Sequence, residues 1–193
     1  MTLDEHLARL RTHLTGKAAD QGLLDVAYTG FDSPLGALTL AATPHGLVRV
    51  AFDNEPLEEV LGDLARKLSP RILRAPARLD EARRELDDYF AGRRIAFDLP
   101  LDWALTSGFR REVLHATARI PYAVTSTYGQ VAAAAGRPKA YRAAGTALAT
   151  NPIPIVVPCH RVRPASGGAG RYRGGEARKL QLLRLEAQEM PSA

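Results

Sequence analysis

The sequence predicts an α/β protein in two parts: a small antiparallel sheet with flanking helices, then a mostly helical domain with a helix-turn-helix of winged-helix-like type. Three observations support this fold class. Short apolar runs separated by glycine and proline lie between residues 22 and 52, which is typical of a strand meander. Apolar residues then recur at helical spacing, both before and after residue 104. The 193 residues, 46% of them hydrophobic, suffice for one domain or two small ones.

The first part, residues 1–103, is predicted to begin with an amphipathic helix that carries Leu3, Leu7, Leu10 and Leu14. Three strands are expected next, interrupted at Gly30, Ser33-Pro34 and Thr43–Gly46, and they cover Leu24–Thr29, Leu35–Ala42 and Leu47–Phe52. Two more helices are indicated by the apolar sets Leu57, Val60, Leu61, Leu64, Leu68 and Leu79, Ala82, Leu86, Phe90. The segment Ala96–Trp103 is interpreted as a linker with one short strand. Because no catalytic group of residues stands out here, this part is interpreted as a scaffold.

The second part, residues 104–193, is predicted to be mostly helical. Ser107 is suited to cap a helix that Pro121 ends. Thr125–Thr127 can cap a short alanine-rich helix ending at Gly136, and Pro138 suits the first turn of a third helix that runs to about Thr150. The turn of roughly three residues between them fits a helix-turn-helix, whose second helix carries Lys139, Tyr141 and Arg142. A plain helical hairpin explains the same pattern equally well.

Charge is distributed unevenly between the two parts. Residues 1–103 hold 13 lysines and arginines against 17 acidic residues, whereas residues 104–193 hold 13 against 4. Such a basic second part predicts contact with a polyanion, most simply nucleic acid. The alternative is a basic face that only contacts solvent.

Several classes of protein are excluded by composition. The chain has one cysteine, which rules out an internal disulfide framework and a zinc site built on several cysteines. No stretch of about 18 apolar residues is present, so no membrane-spanning helix is expected. Charged residues occupy the N-terminus where a signal peptide would need an apolar run, and a cytoplasmic location is therefore predicted. No cofactor, membrane or obligate protein partner is indicated.

The lone cysteine lies in an unusual setting. An apolar segment between Pro152 and Pro158 predicts a buried strand that leads directly to Cys159, His160 and Arg161. Nucleophilic chemistry requires a thiolate, and an adjacent imidazole and guanidinium can favour that form. A buried cysteine with a purely structural role would give the same local pattern.

The segment Val157-Pro158-Cys159-His160-Arg161-Val162 resembles the active-site signature of the O6-alkylguanine-DNA alkyltransferases, the methylated-DNA–protein-cysteine methyltransferases. The other matches occur in the family's order: Tyr128-Gly129-Gln130, Ala140–Gly145, Asn151-Pro152, Gly170–Gly175 and Leu182–Glu186. The continuous resemblance covers about residues 109–186. The first part matches more loosely, through Asp32–Gly36 and Leu86, Tyr89, Phe90 and Gly92.

The resemblance implies a single, irreversible transfer of an alkyl group from guanine O6 to Cys159, with O4-alkylthymine as a further candidate substrate. His160 would act through a water molecule as the base that ionises the thiol. Glu186 would orient and stabilise the imidazole, as the third member of a nucleophile–base–acid triad does. Asn151 would brace the turn that carries the cysteine.

The resemblance also implies double-stranded DNA containing O6-alkylguanine as the partner, with the target base extruded from the helix. Arg142 would insert into the base stack, and Tyr128 would assist rotation and donate a hydrogen bond to the base. Carbonyl groups of Cys159 and Val162 would contact the guanine amino group. The remaining residues assigned to the pocket wall or to DNA are Pro154, Tyr172, Gly129, Arg137, Arg161 and Arg173.

One residue departs from the family pattern within the pocket. Position 173 is usually a small residue, whereas this sequence has Arg173. Its side chain is expected either to reach a DNA phosphate or to narrow the pocket.

Two other functions remain open at this point. The chain could be a helix-turn-helix module or regulator that recognises alkylated DNA without turnover, although relatives with that role lack the cysteine. It could also be a cysteine hydrolase, which would need an oxyanion hole that the sequence does not reveal.

Overall fold

The first part of the protein is built on a four-stranded sheet, seen in a computed structural model that describes residues 3–187. Strands β1 (Val26–Ser33), β2 (Gly36–Thr43) and β3 (Gly46–Phe52) pair as an antiparallel meander, which confirms that prediction. Gly30 was expected to interrupt the first strand, but it lies within β1 and pairs with Thr39. Strand β4 (Ile72–Arg74) was not predicted and runs parallel to β1 at the sheet edge. Its three residues are too few to show an alternating pattern.

Three helices accompany this sheet: α1 (Leu3–Asp20), α2 (Leu57–Lys67) and α3 (Asp80–Phe90). All three were predicted, and α3 follows a 3-10 turn at Pro76–Leu79. In α1 the expected packing of the leucines is not seen, because Leu10 and Leu14 are exposed. The side chains of Leu3 and Leu7 lie outside the described residues.

As far as residue 187, the second part contains four helices: α4 (Gly108–Ala118), α5 (Tyr128–Ala134), α6 (Tyr141–Ala149) and α7 (Glu176–Ala187). Thr127 caps α5, as predicted for the segment Thr125–Thr127, and it does so in a capping box with Gln130. Helix α6 begins at Tyr141 rather than Pro138, because residues 137–140 form a turn closed by a hydrogen bond from Ala140 to Arg137. Lys139 therefore lies in the turn before α6 and not on that helix.

The segment that leads to Cys159 is not the predicted strand. Residues 151–158 form consecutive turns, all buried, and a 3-10 turn at Cys159–Arg161 follows. Proline cannot donate to a strand ladder, and the backbone of Ile155 has a φ of +76°, so the chain bends instead of extending. The short strands β5 (Ser126–Thr127) and β6 (Val162–Arg163) pair in parallel on either side of this region.

The two parts share one hydrophobic core. Leu38 and Leu86 from the first part and Val113 and Leu182 from the second belong to the same buried cluster. The Val50 N–H also donates to the Pro152 carbonyl across the junction, at 2.8 Å. A smaller cluster packs between α2 and the other face of the sheet. Within residues 3–187, no helix has both the length and the apolar character needed to cross a membrane.

Candidate active site

Cys159 is held in a buried turn by the side chain of Asn151. The Asn151 amide donates to the Cys159 Sγ at 3.2 Å and to the Val157 carbonyl at 2.9 Å. Its oxygen accepts from the Ile153 N–H at 3.0 Å, so one side chain connects both ends of the turn. Cys159 is only 4% exposed, and this burial raises the pKa of the thiol to about 11. The hydrogen bond from Asn151 acts in the opposite direction, because it stabilises the thiolate.

His160, directly after the cysteine, forms a buried pair with Glu186 of α7. The distance from His160 Nε2 to Glu186 Oε1 is 2.9 Å, and both side chains are almost fully shielded from solvent. Burial is the largest influence on His160 and lowers its pKa, despite the neighbouring carboxylate. The ring is therefore neutral near pH 7. With Nε2 donating to Glu186, the unprotonated nitrogen is Nδ1, and Nδ1 has no hydrogen-bond partner among the described residues.

Arg161 lies inside the protein, on the same carboxylate. Its Nε donates to Glu186 Oε2 at 2.9 Å and its Nη2 donates to Glu186 Oε1 at 2.8 Å, a two-pronged contact. A third donor, Nη1, reaches the Ile120 carbonyl, and the guanidinium is stacked 5.7 Å from the centre of the Tyr122 ring. Arg161 is 6% exposed, so its assignment to DNA is corrected: its donors are used within the fold.

Glu186 is consequently a fully ionised carboxylate at neutral pH. Burial would raise its pKa, but hydrogen bonds from His160 and Arg161 lower the pKa to about 2. A third side chain, Tyr89 on α3, donates its hydroxyl to Oε1 at 2.7 Å. Sequence reasoning missed Tyr89, although a tyrosine at a buried helical position usually requires a hydrogen-bond partner.

Lys179 is a second residue near the cysteine that the sequence reasoning missed. Its side chain is fully buried, and Nζ donates to the Val162 carbonyl at 2.6 Å. Burial lowers the pKa of Lys179 to about 8, and its positive charge lowers the pKa of Cys159. Lys179, Leu182 and Glu186 are all buried on one face of α7, and their three- and seven-residue separations are a signal that the sequence contained.

A cavity of about 480 Å³ lies beside Cys159. Its walls include Tyr128 at the start of α5, Arg142 in the first turn of α6, and Tyr172. Gly170 has a φ of +74°, and an added Cβ there would lie 3.0 Å from the Tyr128 hydroxyl. Glycine at this position therefore lets the 164–172 loop approach α5 closely.

Known proteins match this chain along most of its length. Residues 26–103 match the 6-O-methylguanine DNA methyltransferase ribonuclease-like domain, and residues 108–188 match the DNA-binding domain of the same family. The methylated-DNA–protein-cysteine methyltransferase of Mycolicibacterium paratuberculosis is 39% identical over 168 residues, which cover 87% of this chain and 96% of that protein. The inducible enzyme of that name from Bacillus subtilis is 38% identical over 149 residues, covering 76% and 82%.

Solved structures agree with these sequence matches. The crystal structure of Mycobacterium tuberculosis O6-methylguanine methyltransferase superimposes with a TM-score of 0.75 at 37% identity, covering 87% of this chain and 96% of that one. A structure of Mycobacterium tuberculosis OGT in complex with DNA gives a TM-score of 0.73 at 36% identity, covering 86% and 96%.

This chain belongs to the methylated-DNA–protein-cysteine methyltransferase family.

The residues of the α5–α6 region that were assigned to DNA lie at or near the surface of this methyltransferase. Arg142 is exposed beside the cavity, with its guanidinium 5.7 Å from the Tyr141 ring centre. Arg137 is exposed between the two helices and stacks 5.0 Å from the Phe109 ring centre. Gly129, in the first turn of α5, is half-buried. None of these three residues is buried as Arg161 is.

Arg173 pairs with an acidic residue from the first part of the protein. Its Nη2 forms an ion pair with Glu55 at 2.5 Å, and its carbonyl accepts from the Asn54 side chain at 3.2 Å. Glu55 also pairs with Arg49 of β3. Arg173 does not line the cavity beside Cys159, so the expectation that it narrows the pocket is corrected. Its contact with a DNA phosphate stays a prediction. Arg173 directly follows the 164–172 loop that lines the cavity, here called the pocket loop, and Glu55 follows β3. The ion pair therefore connects the pocket loop to the first part of the protein.

The two remaining predicted residues are in the interior. Pro154 is buried in the turn before Cys159 and is not part of the cavity wall, so its assignment to that wall is corrected. Val162 is fully buried in β6, and its carbonyl already accepts from Lys179. In the part of the chain that the structure describes, no three histidine, cysteine or acidic side chains are grouped so that they could hold a metal ion.

Proposed function

We propose that this chain repairs O6-alkylguanine in double-stranded DNA by one direct, irreversible transfer of the alkyl group to the Sγ of Cys159. The observation that supports this most strongly is the position of Cys159. Cys159 faces a cavity, and the next residue, His160, forms a buried pair with Glu186. The Nδ1 atom of the His160 ring has no partner among the described residues and is available to accept a proton. The family of the chain and the DNA-bound relative support the same substrate class.

Ionisation of Cys159 is the first step in this proposal. With a pKa of about 11, only about one thiol in ten thousand is ionised at pH 7 without assistance. His160 accepts the thiol proton at Nδ1 through a water molecule, and Glu186 stabilises the imidazolium that results. Asn151 and Lys179 favour the thiolate, the first by a hydrogen bond and the second by its charge.

The transfer itself forms one bond and breaks one. The Cys159 thiolate attacks the alkyl carbon, a C–S bond forms, and the bond from that carbon to guanine O6 breaks with its electron pair going to the base. A proton then returns to guanine, for which the His160 imidazolium is the source. The thioether has no acidic hydrogen and is a poor leaving group, so the protein is consumed and not regenerated.

The target base lies within a duplex and must be extruded to reach Cys159. Arg142 is exposed at the cavity rim, where a planar guanidinium can enter the base stack. Tyr128 lines the same cavity, and burial raises its pKa, so its hydroxyl remains a hydrogen-bond donor to the flipped guanine. Gly129 on α5 and Arg137 in the turn between α5 and α6 contact phosphates in this proposal.

Two further assignments belong to the proposal. We divide the chain at residue 103 into a supporting domain and a domain that binds DNA and transfers the alkyl group. A cytoplasmic location is supported by the proposed substrate. The two Bacillus subtilis relatives are named for acting on DNA, and bacterial DNA lies in the cytoplasm.

The test is the intact mass of the protein after incubation with an O6-methylguanine duplex. A stoichiometric gain of one CH₂ unit, localised to Cys159 by peptide mapping, is expected. The matched control is Cys159→Ser, which keeps the shape of the side chain but is far less nucleophilic, and it should bind the duplex without gaining mass. DNA binding with no gain in mass by the wild-type protein would instead indicate a recognition module. Repaired DNA in excess of protein, without modification, would indicate a turnover enzyme.

A further inference from the structure

The first part of the chain contributes one side chain to the buried cluster around Glu186. Tyr89 lies on α3, 97 residues before Glu186 in the sequence, and its hydroxyl donates to Glu186 Oε1 at 2.7 Å. Tyr89 is fully buried. Among the described residues, no other side chain of residues 3–103 forms a hydrogen bond with His160, Arg161 or Glu186.

We propose that Tyr89 is a positioning residue for alkyl transfer, which holds Glu186 in the orientation that keeps His160 ready to accept the thiol proton. The inference rests on the proposed function of Cys159 and His160. It also assigns a part in the reaction to the first half of the chain, which the sequence presents only as a scaffold.

Three side chains donate hydrogen bonds to the same oxygen of Glu186. This single oxygen accepts from the Tyr89 hydroxyl, from His160 Nε2 and from Arg161 Nη2, at 2.7, 2.9 and 2.8 Å. Arg161 fixes the plane of the carboxylate by its two-pronged contact, whereas the tyrosine approaches from the other part of the protein. A rotation of the carboxylate would change the direction in which Nε2 must donate, and with it the direction of Nδ1.

The ring of Tyr89 supports the same cluster by a second route. It packs edge-on against Tyr122, with 6.3 Å between ring centres, and Tyr122 in turn carries the Arg161 guanidinium on its face. Tyr89 also packs against Phe90 and Phe97. The hydroxyl is therefore held in place by aromatic packing and is not free to turn to another acceptor.

Tyr89 serves as a donor only and does not act as a base. Burial and the adjacent Glu186 carboxylate raise its pKa far above the ordinary tyrosine value, so the hydroxyl keeps its proton at neutral pH. Removing this donor leaves more negative charge on Oε1 to interact with His160. The imidazolium is then stabilised, and the pKa of His160 rises.

The other titratable or charged groups around the pair keep their places when only the hydroxyl is removed. They come from the 3-10 turn, from α7 and from the loops that pack against it, and they are Cys159, Arg161, Lys179, Tyr122 and Tyr172. A change in the pH dependence of Tyr89→Phe is therefore attributable to the lost hydrogen bond.

The experiment measures single-turnover transfer from free O6-benzylguanine, which requires no DNA binding or base extrusion. For Tyr89→Phe we expect the rate constant near neutral pH to fall by about three- to tenfold, because general-base assistance of the kind that His160 supplies is lost only in part. The acidic limb of the pH–rate profile should move to higher pH by about half a unit. In a Glu186→Gln background the same substitution should have no further effect, because Tyr89 acts through the carboxylate.

Two control variants separate this role from simple structural support. Tyr28→Phe removes a hydroxyl from β1, and Val60→Ala loosens the separate core beneath α2; both should keep the wild-type profile. A wild-type profile for Tyr89→Phe would overturn the proposal, as would an equal loss of rate in the Glu186→Gln background. If the wild-type protein gains no benzyl group at all, the proposed function fails instead.

Discussion

Arg161 provides the sharpest test of the active-site geometry, because its sequence position suggested DNA binding and the structure places it on Glu186. The perturbation is Arg161→Met, which keeps an unbranched side chain but removes the guanidinium. Four hydrogen bonds are lost: three to Glu186 and one to the Ile120 carbonyl.

The expected loss of stability follows from the burial of this ion pair. Removing one partner of a buried pair costs about 3–5 kcal/mol, because the other charge is left uncompensated. Glu186 keeps donors from Tyr89, His160 and the Ala123 N–H, so the lower end is expected, about 3 kcal/mol. For a protein of this size that corresponds to a fall of roughly 10 °C in the thermal midpoint.

The substitution should also change the chemistry in a defined direction. The Arg161 charge lowers the pKa of His160. Without it, the imidazolium beside Glu186 is more stable, and the acidic limb of the pH–rate profile should move up by about one unit. Transfer to Cys159 should therefore fall off at a higher pH than in the wild-type protein and recover as the pH is raised.

The matched control is Arg137→Met, the same change at an exposed arginine on the helix-turn-helix. It should lower the slope of log affinity against log salt by about one and change stability by no more than about 0.5 kcal/mol. Arg161→Met should do the reverse, with an unchanged salt slope and a large loss of stability. If Arg161→Met reduces the salt slope and leaves the thermal midpoint in place, the assignment of Arg161 to Glu186 is refuted.

Three other outcomes are expected. Arg142→Ala should reduce the ratio of duplex to free-base repair rates by about tenfold or more, since the unstacked base loses its replacement, whereas Lys139→Ala should leave that ratio near wild type; equal ratios would make Arg142 a phosphate contact only. Arg173→Ser and Glu55→Gln should both raise the rate on O6-benzylguanine relative to O6-methylguanine by about two- to fivefold, because each substitution breaks the ion pair that restrains the pocket loop. If Arg173→Ser changes this ratio and Glu55→Gln does not, the ion pair is excluded as the cause. The depressed pKa of Glu186, about 2 against an ordinary 4.5, contributes stability that is fully present above pH 4.5 and is lost as the pH falls towards 2. Urea unfolding should show about 3 kcal/mol of loss over that window in the wild-type protein and little of it in Glu186→Gln.

The sequence by itself determined the features that depend on local pattern. The meander of β1 to β3, the amphipathic helices α2 and α3 and the capped helix α5 are each specified by residues within a few positions of one another. The adjacency of Cys159 and His160 is likewise a property of the chain. These features were predicted correctly because neighbouring residues alone fix them.

Predictions from local patterns were wrong where contacts with other parts of the fold, or prolines without a backbone N–H, determined the secondary structure. The apolar residues before Cys159 suggested a strand, but prolines and the Asn151 side chain hold them as turns. Pro138 suggested a helix start that the chain reaches only at Tyr141. Strand β4 exists because β1 offers it an edge, and three residues show no periodicity of their own.

Only the tertiary structure decided where the long side chains of the site are directed. In sequence, Arg161 and Arg173 are two basic residues in a basic half, and nothing local distinguishes a phosphate contact from an internal ion pair. The fold brings Glu186 to the first and Glu55 to the second, 25 and 118 positions away. Tyr89 meets Glu186 for the same reason, because the shared core, and not either helix alone, brings these two side chains together. Charge and residue type are written in the sequence, but the partner of a buried charge depends on which distant segments the core brings together.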